Sequence, residues 1–179
     1  YQDEIDLLLL LTQIKNSLEY RYSHSVNVAV LSIGFGHALG LHRTLRRDLG
    51  IAALLYDSGM MKLPENLTSL SSLNPKEREL LERHPILAIP LILHTSIIDS
   101  TVLRSVNVTF AHHLGAKEGG YPKFGQGLAS LSSQIIAIAD FYDARSTPQP
   151  YRDKILTPPE TLASLARVPE RFLIPSLIR

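Results

Sequence analysis

The chain has 179 residues, 45% of them hydrophobic, a formal net charge of +1 and no cysteine. Its length and apolar fraction suit one folded domain rather than two domains or a disordered chain, and its near-neutral charge provides no field to gather nucleic acid or an anionic membrane. Without thiols there is no disulfide, no thiol nucleophile and no thiolate metal site, so any metal must be held by His, Asp or Glu.

The first apolar run, Leu7 to Leu11, is flanked by Asp3, Glu4, Asp6 and Lys15. It falls far short of the ~20 apolar residues a bilayer span needs and reads as a helix buried against its neighbours. No basic-then-apolar opening marks a signal peptide, so the expected location is the cytoplasm. The chain opens in mid-helix character, which predicts a single domain over 1–179 that is part of a longer polypeptide.

Val26, Val30, Ile33, His37 and Leu41 recur at spacings of three and four and predict one face of a helix. A second helix is predicted over 45–58, rich in Leu and Ala, ending in Tyr56-Asp57 before a break at Gly59. Asn74-Pro75-Lys76-Glu77 has the form of an N-cap, a first-turn Pro and a capping-box Glu, and Thr157-Pro158-Pro159-Glu160 repeats it. Ile98, Val102, Val106 and Phe110 predict a helix running into His112-His113. Leu131, Ile135, Ile138 and Tyr142 predict another, with Asp140 in its middle. Between these two, residues 114–129 carry Gly115, Gly119, Gly120, Gly125, Gly127 and Pro122, the main irregular stretch. A loop that long is often functional. Strand alternation is scarce. The expectation is an all-α, compact bundle of about seven to nine helices, from the helix lengths usual in globular domains.

Candidate chemistry rests on His24, Asp57, His84, His112-His113 and Asp140. Singly, a helical His such as His24, His37, His42 or His94 is more often packed or solvated than ligating, and Asp57 could cap a backbone amide. Asp140 is harder to explain away. It interrupts the apolar run Ile-Ile-Ala-Ile-Ala-Asp-Phe, where a buried carboxylate needs a cation or a metal. Taken together, several His and two Asp at apolar helix positions favour a metal site. Imidazole and carboxylate without sulfur suit Fe, Mn, Zn, Co or Ni and do not select among them.

The ordered set His24-Ser25, Tyr56-Asp57, His84-Pro85, His112-His113, Gly120-Tyr121-Pro122 and Ala139-Asp140-Phe141-Tyr142-Asp143-Ala144 resembles the HD-GYP domain. This is the bacterial cyclic di-GMP phosphodiesterase family within the HD metal-dependent phosphohydrolases. The resemblance covers nearly the whole chain, with Leu63-Pro64 and Pro150-Tyr151-Arg152 also in place. It implies an HD-like fold and a two-metal hydrolase. His24, Asp57, Asp140 and residue 56 would hold one cation. His84, His112 and His113 would hold the other, with Asp57 bridging. Gly120, Tyr121, Pro122, Asp143 and Arg152 would serve a nucleotide pocket or a partner.

This chain departs from that pattern at several positions. Tyr56 stands where the family has His, and a neutral phenol is a poor ligand. Ferric iron does accept tyrosinate. Met60 replaces a Lys that would contact substrate phosphate, and Gln149 replaces an Arg. Leu114 and Lys117-Glu118 replace a Glu and an Asp-Gly. The clustering of these changes points to a divergent domain with catalysis weak or lost, acting by binding cyclic di-GMP or a signalling protein such as a diguanylate cyclase. It would hold at most one tightly bound divalent metal (Fe, Mn or another transition metal). Two alternatives remain: an active cyclic di-GMP phosphodiesterase, and a purely structural or dimerisation helical module.

Overall fold

In a computed structural model, residues 20–64, 67, 72–115, 120–125, 127–148 and 155–168 are described. The Leu7–Leu11 run, Lys117-Glu118, Gln149 and Pro150-Tyr151-Arg152 lie outside them. Among the described residues the architecture is all-helical: α1 (Tyr20–Ala38), α2 (Arg43–Leu55), α3 (Pro75–Leu81), α4 (His84–Leu93), α5 (Ser100–Ala111), α6 (Leu131–Ser146) and α7 (Pro158–Leu165). The described residues form no strand, only an isolated bridge between Leu114 and Gly120. The expected all-α bundle of about seven to nine helices is what forms, with seven among the described residues.

Helix α1 packs on α2 and α6, α2 on α5, and α7 on α6. The main core gathers Val28 and Leu31 of α1, Leu49, Ala52 and Ala53 of α2, Val108 of α5 and Ile135, Ile136 and Ala139 of α6, together with Tyr56. The capping signals hold. The Asn74 side chain accepts from the Lys76 and Glu77 amides, and Glu77 accepts from the Asn74 amide. The Glu160 carboxylate likewise accepts from the Thr157 amide at 2.8 Å.

Two of the expected faces are rotated. On α1, Val26 and His37 are exposed, and the inward face carries His24, Asn27, Val28, Leu31 and Ser32. On α5, Ile98 precedes the helix and is exposed, while Ser105, Val108 and Thr109 face inward. On α1 the buried His24 and Asn27 both hydrogen-bond to Asp143, whereas on α5 the Ser105 hydroxyl turns back to the Thr101 carbonyl of its own helix. An apolar-spacing rule reads such a face as solvent.

A close approach of backbones fixes the end of α2 against the start of α4. A 3-10 turn at Ser58–Lys62 follows Asp57. A Cβ added at Gly59 would lie 1.9 Å from the His84 carbonyl oxygen and 2.8 Å from the Ala88 nitrogen. Only glycine permits this contact, and it seats Asp57 beside His84. Gly59→Ala is therefore expected to push α4 away. The cost should be ~1–3 kcal/mol or more, as for other overpacked sites, and thermal unfolding should show a lowered midpoint. An unchanged midpoint would mean that the turn and α4 separate without cost.

Candidate metal centre

The side chains singled out above meet in the interior in two adjoining groups. In the first, α1 supplies His24 and α6 supplies Asp140 and Asp143, while Tyr56 caps the C-terminus of α2. His24 Nδ1 donates to Asp143 Oδ2 at 2.7 Å, and His24 Nε2 lies 2.9 Å from Asp140 Oδ1. The Tyr56 hydroxyl donates to that same Asp140 oxygen at 2.8 Å, and its oxygen is 2.9 Å from His24 Nε2. Tyr56 is 1% exposed and His24 7%. Burial opposes a charge on His24, but its hydrogen bonds to Asp140 and Asp143 outweigh that effect and push its pKa up to about 10. Burial likewise opposes ionisation of Asp140, and the hydrogen bond from His24 overrides it, holding that carboxyl below the usual range. This half carries its own cation, an imidazolium between carboxylates.

The second group is of a different kind. His84 opens α4, and His112 and His113 follow the last residue of α5. One ring nitrogen from each of the three lies within 4.8 Å of the others. His84 Nδ1 donates to the Leu81 carbonyl at 2.8 Å, and His112 Nδ1 to the Thr109 carbonyl at 2.7 Å. Each neutral ring therefore presents its Nε2 lone pair inward. Those two Nε2 atoms face each other at 3.3 Å, and Asp57 Oδ1 is 3.2 Å from the His84 one. Three acceptors thus converge, an unfavourable arrangement that a cation relieves. Charging the rings instead is opposed. Burial, then neighbouring His84, lowers the His112 pKa to about 4, and burial lowers those of His84 and His113 too. Asp57 and the His112-His113 pair both follow helix C-termini, where the helix dipole favours positive charge. This half fits a divalent metal.

Tyr56 is the partition. Its hydroxyl belongs to the first group, and its ring meets His112 edge-on at 4.8 Å between centroids. With a phenolic O–H rather than a second imidazole lone pair, the first half does not suit a divalent ion.

Around the second half, Tyr121 is half-buried, stacked on His113 at 4.4 Å and edge-on to His84 at 6.0 Å. Gly120 sits at φ +76°, where an added Cβ would lie 1.9 Å from the His113 carbonyl, and Pro122 is buried. Met60, next to Asp57, is half-buried and carries no charge to the site. One assignment changes. Asp143, grouped above with the nucleotide or partner loop, is 1% exposed and lies behind His24, where it also accepts from Asn27 and Thr147. Asn27 and Thr147 went unnoticed in the sequence. Their signal was the spacing of three from His24 to Asn27 and of four from Asp143 to Thr147, each pair on one helix face.

A protein-family model described as HD domain matches residues 9–172. A cyclic di-GMP phosphodiesterase of Pseudomonas aeruginosa is 36% identical over 148 residues, 81% of this chain and 35% of its own length. A 3'3'-cGAMP-specific phosphodiesterase of Vibrio cholerae is 28% identical over 150 residues, 81% of this chain and 33% of its own. The chain thus spans about a third of the curated relatives it matches. A solved structure of an HDGYP protein from Bdellovibrio bacteriovorus superposes with a TM-score of 0.76 at 20% identity, covering 98% of this chain and 57% of that one.

The two halves respond oppositely to pH. The depressed His112 adds stability above about 6.5 that is lost as pH falls toward about 4, and burial shifts His84 and His113 in the same direction. His24 adds stability below about 6.5, lost as pH rises toward about 10. Metal-free protein should therefore be most stable near neutrality, and a divalent metal should add stability there that is lost as falling pH lets protons displace it from the rings, giving a steeper acid limb. Melting temperatures measured across pH with and without manganese test this, and an acid limb indifferent to metal would argue against the histidine site.

Proposed function

The chain belongs to the HD domain family, in its HD-GYP branch, and on that premise we propose that it is a divergent member. In this reading it binds one divalent cation and a cyclic dinucleotide, with hydrolysis weak or lost. Its role is then to sense or present the nucleotide, or to engage a signalling protein in the cytoplasm, rather than to clear the nucleotide. The observation that carries this is the unequal pair of half-sites. The Nε2 lone pairs of His84 and His112 face each other at 3.3 Å with His113 and Asp57 beside them, whereas Asp140 already accepts from the Tyr56 hydroxyl and pairs with His24.

When bound at the histidine half, a divalent cation supplies Lewis acidity toward a phosphoryl oxygen. The chain's own residues then do the following. His84, His112 and His113 offer imidazole nitrogens, and Asp57 offers a carboxylate that offsets the added charge. The carbonyls of Leu81 and Thr109 hold the rings of His84 and His112 in the ligating orientation. Tyr121 walls one side of the cluster and offers a face on which a base can stack. A second divalent cation opposite is disfavoured by the Tyr56 hydroxyl, so in this reading the paired activation of both reacting oxygens by divalent ions is not assembled. Met60 supplies no ammonium to a substrate phosphate, and Gln149 no guanidinium. Each charge-assisted contact of that sort contributes ~1.5–3 kcal/mol, so losing both lowers rate or affinity by about 10²-fold or more.

The competing reading, an active phosphodiesterase, draws on the relatives named for that activity. It is separated by turnover of cyclic di-GMP and of 3'3'-cGAMP with manganese or ferrous iron. The proposal expects a single divalent ion per chain, nucleotide binding by calorimetry, and turnover well below ~1 per second. Turnover at or above that rate refutes it, as does a second equally occupied divalent site. Tyr56→His should raise divalent stoichiometry while leaving hydrolysis poor, and adding Met60→Lys and Gln149→Arg should raise hydrolysis further.

A further inference from the structure

The apolar stripe that the sequence places along α1 is left largely open among the described residues. Val26 is 51% exposed, and Val30 and Ile33 are only half-buried, on the face nearly opposite His24 and Asn27. A Cβ added at Gly36 would meet the Leu49 and Arg46 side chains, and one at Gly50 would lie 2.7 Å from Ile33 Cδ1. Helices α1 and α2 therefore run antiparallel in close contact. Leu54, a turn beyond Gly50, carries the apolar surface onto α2 at 51% exposure. A contiguous apolar surface open to water marks a place that something covers. One end of this seam is cationic. Arg43, Arg46 and Arg47 share one face of α2 and, with Ile33, line a cavity of about 470 Å³. Arg47 is committed to Asp48 and Thr101. Arg46 donates to His37 Nδ1 at 2.6 Å, and its buried Nε–H finds no acceptor among the described residues. Neither Arg46 nor Arg43 meets a carboxylate there. What covers the seam must bring anionic acceptors to this end and aliphatic side chains along the rest.

We propose that the occupant is the chain's own residues 3–11, Asp-Glu-Ile-Asp followed by five leucines, which lie outside the described residues. Their chemistry has the order the seam requires, acids at one end and apolar side chains after them. Their reach also matches. Ile33 and Asp6 are almost equally far from Tyr20 along the chain, thirteen and fourteen residues. That length of α1 covers ~20 Å, and a connection of the same length covers ~20 Å even when coiled as tightly as a helix. Returning along the outer face of α1, the segment brings Asp3, Glu4 and Asp6 level with Arg43 and Arg46. It lays the leucines on Val30, Val26 and Leu54. The opposite direction would set the acids over apolar side chains and leave both guanidinium groups unpaired. Helix α1 carries His24 and α2 leads into Asp57. The segment thus clamps from outside the two helices that bring these side chains to the centre.

The chain has no cysteine, so introduced pairs report without background. In the full chain, Ile33→Cys is combined in turn with Ile5→Cys, Leu7→Cys, Leu8→Cys and Leu11→Cys, and the purified protein is oxidised with copper phenanthroline. Val30→Cys provides a second anchor, should Ile33→Cys lower the yield of folded chain. The expected result is an intramolecular disulfide in at least one pair, seen as faster migration without reductant and a mass lower by two hydrogens. Phe124→Cys, an exposed position packed on Phe110, should stay reduced with the same partners. Arg43→Glu with Arg46→Glu should cut the disulfide yield several-fold. Adding Asp3→Lys, Glu4→Lys and Asp6→Lys should restore it. Pairs that remain reduced throughout overturn the proposal, as does a yield indifferent to the charge reversals. Disulfide-linked dimers overturn it in favour of a second copy's segment, and equal yield at Phe124→Cys reduces it to random collision. None of these outcomes depends on metal or nucleotide.

Discussion

The structure turns on acceptor groups with no proton between them. His84 and His112 each commit Nδ1 to a backbone carbonyl, so their Nε2 lone pairs confront each other at 3.3 Å with the Asp57 carboxylate at the edge. Left alone this is unfavourable, and burial also makes protonation of the rings costly. A folded chain keeps such an arrangement at the expense of stability, with a cation as the natural remedy. The surrounding scaffold follows from this requirement. Two helix C-termini are brought to one place, Gly59 lets backbone touch backbone at His84, and Gly120 does the same at the His113 carbonyl. The inner faces of α1 and α5 carry polar side chains where a plain helical core would carry Leu or Val.

The overall fold was legible because most of its helices announce themselves through period, cap and breaker, and two capping boxes appear where the sequence placed them. The second helix is bounded at Arg43–Leu55 against an expected 45–58 because Tyr56 closes it and a tighter turn takes over. What misled was the assumption that an inward face is apolar. Val26 and Ile98 fit the spacing but face solvent, and Asn27 and Thr109 break it but are buried. A helix lining a polar site inverts the usual contrast, and hydrophobic spacing alone cannot register that inversion.

The candidate site was legible in its membership and less so in its partition. Asp140 stood out because a charge inside Ile-Ile-Ala-Ile-Ala-Asp-Phe demands a partner, and its partners are His24 and Tyr56. Asp143 lies three residues on, hence on the same helix face, and the resemblance assigns it to a nucleotide pocket or a partner. Its burial and its bonds to His24, Asn27 and Thr147 make it the residue that sets the direction of the His24 ring. One-dimensional order gives the ligand types, but only packing shows which carboxylate faces the centre and which stands behind a ligand.

The exchange at position 56 changes the sign of what the site demands. An imidazole there would add a further lone pair beside His24 and Asp140, deepening the need for a cation. A phenol brings a hydrogen-bond donor instead, and its O–H answers the Asp140 oxygen directly at 2.8 Å. On the proposed reading, that one residue leaves this half satisfied by protons while the neighbouring half keeps its need for a cation, and the Asp143 contact that orients the His24 ring at 2.7 Å stays in place.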